Sequence, residues 1–332
     1  MALTATVSQS TGEAPSASPV AIEKARAGLG DRVFKAVCIA AASSLVVLAG
    51  AMVAVLFNAA FACIKSMGWG FLVGQDWNPV TGQFGALPFI YGTLATSLIA
   101  FAFAGPLGIG IALVLTEMAP RGLRAVLSYF VELLAAIPSI VFGLWGMFVL
   151  APLMREHVDP LLISYLGKPL FVGPTTGLSL MTAAMVLTVM ILPTVMSLCR
   201  EVFDAVPSTA REAALALGAT RWESIRMAVL APTTPGMVGA LLLGLGRALG
   251  ETMAVTMVIG NRPEISANLL GASHSMAAVI ANEFSEAVSD VHIAALAEIG
   301  LLLMGVTILL NLMARLLVMW TTGRYSDGKK GR

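Results

Sequence analysis

Apolar residues run along this chain in blocks too long for a strand and without the polar stripe of a soluble helix. Six blocks reach the roughly 20 residues a helix needs to cross about 30 Å of hydrocarbon. They cover 36–64, 89–116, 125–151, 178–199, 236–261 and 293–317. The pattern predicts an all-α polytopic membrane protein with six transmembrane helices, the permease domain occupying 31–323. Only the third, fifth and sixth blocks contain charge: Glu132, then Arg247 with Glu251, then Glu298 with Arg315. Glu132 and Glu298 lie near the ends of their blocks and are expected to reach the interface, and Pro138 is expected at most to kink its helix. Residues 1–30, rich in Ala, Ser, Thr and Pro, read as a disordered tail. They do not read as a signal peptide, because the following apolar run is too long and lacks a small-residue cleavage site.

Composition agrees, with 58% hydrophobic and 12% charged residues where a soluble chain carries about a quarter charged. A formal net charge of +1 gives no reason to expect nucleic acid as a partner. The placement of charge is more informative than its total. Fifteen of the 20 Lys and Arg fall in the N-terminal segment, in the second and fourth connections, and at the C-terminal end, against four on the other face. Positive residues accumulate on the cytoplasmic side, so both termini, including the tail 324–332, are expected there. Arg247 belongs to neither face. Cys38, Cys63 and Cys199 lack metal-ligand spacing and read as free thiols, and His157, His274 and His292 read as scattered residues of the outer face. No phosphate loop, zincin motif or serine nucleophile with a base appears, so neither a cofactor nor a catalytic residue is expected.

The fourth connection, about 200–232, contains DAVPSTAREAALALGATRWESIRMAVLAP and reads as two short helices. Thr209 to Glu212 and Thr220 to Glu223 both fit a capping box. Gly218 between them can take the left-handed conformation that ends a helix. Ala213, Ala214, Leu217, Trp222 and Ile225 would give the pair one apolar face, a surface that calls for a partner.

This segment resembles the EAA signature of ATP-binding cassette (ABC) importer permeases. Glu212, Ala213, Ala214 and Gly218 match in type and spacing, while the closing proline, Pro232, comes one residue late. FGALPFIYGTL (84–94), ELLAAIPSIVFGLWG (132–146), GRALGETMAV (246–255) and VIANEFSEA (279–287) extend the resemblance to the PstC family, permease subunits of phosphate-specific importers, over roughly 84–315. It implies a type I (MetI-like) permease fold in the bacterial inner membrane. It also implies a PstA-like second permease subunit, two copies of a PstB-like ATPase and a PstS-like phosphate-binding protein. Glu212, Ala213, Ala214, Gly218 and Trp222 would then belong to the coupling helices that dock on the ATPase, although Trp222 also suits a headgroup-level anchor.

Arg247 and Glu251, four apart, would share a helix face, with Gly246 and Gly250 permitting close packing beside them. One reading is an ion pair that holds the helix in the bundle. The other, which the resemblance favours, places Arg247 in the path of an oxyanion, with Glu251 weakening its grip so that the anion can leave. An ABC permease for sulfate or molybdate and a secondary transporter remain the alternatives. The second would show inverted repeats, which are not apparent.

Overall fold

The structure of the chain, a computed structural model, describes residues 29–167, 169–173 and 175–327. The expected N-terminal tail, apart from residues 29 and 30, lies outside the described residues, as does the end of the C-terminal one. The chain forms two compact units, Met1–Met52 and Val53–Arg332. Among the described residues the first holds the start of α1 (Leu29–Met67), where apolar side chains such as Leu45, Val46 and Leu48 are exposed.

The second unit holds the remainder of α1 and every later element. A small hairpin, β1 (Trp77–Asn78) and β2 (Gln83–Phe84), sets Trp77 opposite Phe84. There follow α2 (Leu87–Met118), α3 (Arg121–Ala136), α4 (Ser139–Tyr165), α5 (Leu180–Asp204) and α6 (Ser208–Ala216). The series continues with α7 (Arg221–Leu249), α8 (Met253–Val258), α9 (Met276–Glu283) and α10 (Asp290–Asp327). Among the described residues six helices are long and apolar enough to cross a membrane: α1, α2, α4, α5, α7 and α10. That count matches the sequence pattern, but two of the spans differ from it.

The third block does not make one helix. Pro138 has no N–H to donate and disfavours a helical conformation at Ile137, which lies extended at φ −67°, ψ 129°. The block therefore breaks, and the span is the downstream helix α4. Upstream, the 16 residues of α3 rise only about 24 Å, too little to span. α3 is amphipathic: Arg124, Ser128 and Val131 form the less exposed stripe, and Leu123, Val126, Tyr129 and Phe130 stand exposed. Arg124 pairs with Asp204 and Glu132 with Arg200, the latter at 3.3 Å. Eight residues of α3 thus match four of α5, so α3 crosses the end of α5 obliquely, and Glu132, its side chain 63% exposed, sits beside Arg200 at that end.

The fifth block breaks as well. α7 ends at Leu249, Gly250 and Thr252 interrupt the chain, and α8 begins anew at Met253. A polar Gly-Glu-Thr stretch can leave the helix here because side chains satisfy the freed backbone groups, as described below.

α5 is the central post, its start fixed by Ser179, whose hydroxyl accepts the Thr182 N–H at 3.2 Å. Small residues bring its neighbours close. A Cβ at Gly108 of α2 would stand 2.8 Å from Val195, and Cβ atoms at Gly244 and Gly236 of α7 would stand 2.7 Å from Val195 and 2.6 Å from Val202. These two glycines, and not Gly246 and Gly250, are the close-packing positions of α7; a Cβ at Gly246 would meet nothing within 4 Å.

Candidate translocation and docking sites

The glycine contacts fix the depth of Arg247. Gly236 meets Val202 and Gly244 meets Val195, so α7 runs antiparallel to α5. Three residues further on, Arg247 stands level with about Leu192, the middle of α5. It is exposed on the face of α7 that turns away from buried Gly244, Leu245, Ala248 and Leu249, beside exposed Leu243. Among the described residues its guanidinium makes no ion pair or hydrogen bond.

Glu251 lies beyond the end of α7, so the expected shared helix face does not exist, and no ion pair with Arg247 forms among the described residues. Its carboxylate turns to the next element, where Oε1 accepts the Ala254 N–H of α8 at 3.2 Å. A carboxylate suits a helix start, where backbone donors lack partners. α8 is wedged against the first turns of α4. A Cβ at Gly143 would come within 3.0 Å of Ala254 Cα, and one at Gly146 within 2.9 Å of Val258. The two contacts advance together, so α4 and α8 run parallel and begin side by side after their respective breaks.

At the end rich in arginine, the first expected short helix forms as α6, whereas the second is no separate helix but the first turns of the span α7. Thr220 makes the full capping box with Glu223: Glu223 N–H donates to Thr220 Oγ1 at 3.3 Å, and Thr220 N–H to Glu223 Oε2 at 2.8 Å. The first expected box does not form. α6 starts at Ser208 after Pro207, which places Thr209 inside the helix, and no side chain caps it. Gly218 has φ +86° and closes α6, with Gly218 N–H donating to Leu215 O at 2.9 Å and Ala219 N–H to Ala214 O at 3.2 Å.

A groove of about 540 Å³ opens between α6 and the start of α7, with Ala213, Ala214, Leu217, Gly218 and Met227 in its walls. Leu217 is 90% exposed and Glu212 is exposed at the rim. Trp222 is 60% exposed but does not line the groove, nor does Ile225; Met227 takes the expected place of Ile225.

At the opposite end the histidines depart from expectation. His157 is exposed, but His274 and His292 are buried. His292 Nε2 and Trp77 Nε1 both lie 2.9 Å from Glu283 Oε2, and the His292 ring stacks on Phe84, fastening β1, β2, α9 and α10 together. Glu298 of α10 is also buried instead of reaching the interface. No periodicity marked these positions, because a lone polar residue in an apolar run is compatible with either face.

His274 has its ring edge-on to Phe89 and its Nδ1 accepts the Ser275 N–H at 3.0 Å, so the neutral ring carries its proton on Nε2. Burial pushes its pKa down from 6.5 to about 4. The unfolded chain therefore takes up this proton first as pH falls, and stability drops between pH 6.5 and 4. The loss between pH 7 and 5 amounts to about 2 kcal/mol from this group. His274→Asn keeps an acceptor for Ser275 and removes the titration. Thermal unfolding of the detergent-solubilised protein is expected to fall less between pH 7 and 5 in the variant than in the parent, and equal losses would contradict the assignment.

Six helices long and apolar enough to cross a membrane, two apolar blocks that each break into two helices, and a paired-helix groove define a multi-pass membrane protein of permease type. The chain belongs to the binding-protein-dependent transport system inner membrane component family, whose profile matches residues 104–322. It is 48% identical over 299 residues to the phosphate transport system permease protein PstC of Mesorhizobium japonicum, covering 89% of this chain and 91% of that protein. With the Haemophilus influenzae protein of the same name it shares 44% identity over 82% of this chain and 88% of the relative. The fold is shared with a chain of the MetNI methionine ABC transporter, at TM-score 0.51 and 19% identity, covering 69% of this chain and 92% of that one.

Proposed function

We propose that the chain is the permease subunit of an ATP-driven importer that moves inorganic phosphate into the cytoplasm, with Arg247 in the translocation path. The observation that carries the reading is the guanidinium of Arg247, without an ion pair or hydrogen bond among the described residues, at mid-depth on an open face of α7. A charged side chain facing lipid there would cost several kcal/mol. It is tolerated where it faces a water-filled path, and the planar donor fork suits a phosphate oxyanion. The parallel starts of α4 and α8 add backbone donors at the same depth, and Glu251, by accepting from one of them, tempers the positive field so that the anion can leave.

The partner set follows from the same reading. The open face of α7 receives a PstA-like second permease subunit, which closes the path around Arg247. The groove between α6 and α7 receives a PstB-like ATPase, with Glu212, Ala213, Ala214 and Gly218 as the docking surface and Trp222 beside it. This arginine-rich end is cytoplasmic, with both termini, and a PstS-like phosphate-binding protein delivers its cargo at the opposite end. The relatives named for phosphate transport support phosphate over sulfate or molybdate as cargo.

The test is uptake into proteoliposomes that hold the complete complex, energised with ATP. Radiolabelled phosphate is expected to accumulate, and a tenfold excess of unlabelled sulfate or molybdate is expected to leave the rate unchanged. Sulfate accumulation without phosphate accumulation would overturn the cargo, and phosphate accumulation without ATP would overturn the ABC mechanism.

A further inference from the structure

Arg211 stands immediately before the docking residue Glu212, yet its side chain points away from the groove, back toward the membrane helices. Nε donates to Glu117 Oε1 at 3.0 Å and Oε2 at 3.2 Å, and Nη2 donates to Oε1 at 2.7 Å. Nη2 also reaches Phe203 O at 3.0 Å, while Nη1 reaches Val206 O at 2.7 Å. Glu117 sits in the last, π-helical turn of α2, and the two carbonyls lie at and just past the end of α5. One guanidinium from α6 therefore binds the ends of both helices that form the centre of the bundle. The contact is sheltered, with side-chain exposures of 24% for Arg211 and 10% for Glu117, and it is bidentate. A lysine in its place could satisfy the carboxylate or the carbonyls, but not all of them in one plane.

We propose that Arg211 is the positioning residue that carries force from the docked ATPase into α2 and α5, with Glu117 as its anchor. The inference rests on the reading of α6 as an ATPase-docking helix. The direction of the side chain separates two tasks along one helix. Glu212, Ala213 and Leu217 face outward, where a partner would bind, and Arg211 faces inward, where its motion would be felt. A rigid link of this kind lets a displacement of α6 move α5, which packs against Gly108 of α2 and Gly244 of α7, one turn from Arg247. Without the link α6 can still dock, but it moves alone.

The experiment uses the complete complex in proteoliposomes and compares Arg211→Gln, Arg211→Lys and Glu117→Gln with the parent. Three quantities are read: ATPase recovered per permease in a pull-down, ATP hydrolysed, and phosphate taken up. ATPase recovery is expected to stay within about twofold of the parent, while the ATP used per phosphate moved rises roughly tenfold or more in Arg211→Gln and Glu117→Gln, an ordinary size for an allosteric coupling. Arg211→Lys is expected to fall between them and the parent. An unchanged ratio of ATP to phosphate in assembled complexes would overturn the proposal, whether uptake is normal or falls in step with hydrolysis. So would loss of assembly in both Gln variants that Arg211→Lys fails to rescue, because the pair would then only hold the fold. Failure of the docking reading looks different: a parent complex that recovers no ATPase at all.

Discussion

Arg247→Gln is expected to lower phosphate uptake by roughly 100-fold, since losing one buried charge contact to an anion costs about 3 kcal/mol and each 1.4 kcal/mol is tenfold. The complex should still assemble. Among the described residues the guanidinium makes no ion pair or hydrogen bond, so its removal leaves no carboxylate stranded and opens no gap in the core of this chain. Glu251→Gln should act weakly on the fold, because a glutamine oxygen can still accept the Ala254 N–H. The double variant distinguishes path from structural ion pair. If the two charges held the bundle together, removing both would restore much of what removing one had cost. With Glu251 committed to α8 and Arg247 on the open face of α7, the double variant is expected to be as inactive as Arg247→Gln. The measurement is radiolabelled phosphate uptake at low external phosphate, normalised to assembled complex, and recovery in the double variant would remove Arg247 from the path.

The spacing that suggested an ion pair illustrates what a membrane sequence hides. Six spans were legible because hydrocarbon demands a length of apolar chain, and length survives in the sequence whatever the packing. The interruptions were not, because an apolar run looks alike whether it is one helix or two. Pro138 was visible as a proline, but prolines are tolerated inside membrane helices, as Pro106 of α2 and Pro193 of α5 show. What separates Pro138 from them is Ile137, extended in the structure, with α3 free to turn across the end of α5. Gly250 likewise looked like a packing residue and is instead where α7 stops.

The arginine-rich end was read more fully, because water-exposed segments obey local rules. Thr220 with Glu223 forms the capping box, and Gly218 has the positive φ expected of a helix stop. The one local misreading, Thr209 with Glu212, came from a second motif that competes for the same place: Pro207 starts α6 from outside, so Thr209 is already helical. Arg211 could not have been read at all. Its partner Glu117 lies 94 residues away, and no spacing rule connects them.

Gly218→Val is expected to reduce ATPase recovery roughly tenfold or more while leaving the permease inserted. The position has φ +86°, and a Cβ there would meet nothing within 4 Å, so the penalty is confined to the backbone. A left-handed conformation costs an L-residue roughly 1–2 kcal/mol, more for a β-branched one, which is a factor of about ten in the population of the native turn. That turn sets the angle between α6 and the capped start of α7, and hence the walls of the groove: Ala213, Ala214 and Leu217 on one side, Met227 on the other. Asparagine tolerates the left-handed region, so Gly218→Asn should retain most of the binding, with Gly218→Ala between Asn and Val. The order Gly, Asn, Ala, Val follows backbone strain and not side-chain size, since Asn and Val differ little in volume. Pull-down of the ATPase from detergent-solubilised membranes measures it, with insertion checked separately by protease protection. Equal recovery from the Val and Gly proteins would show that the groove is not where the ATPase binds, whereas a loss that follows volume would mean that the space beside Gly218 is filled by the partner.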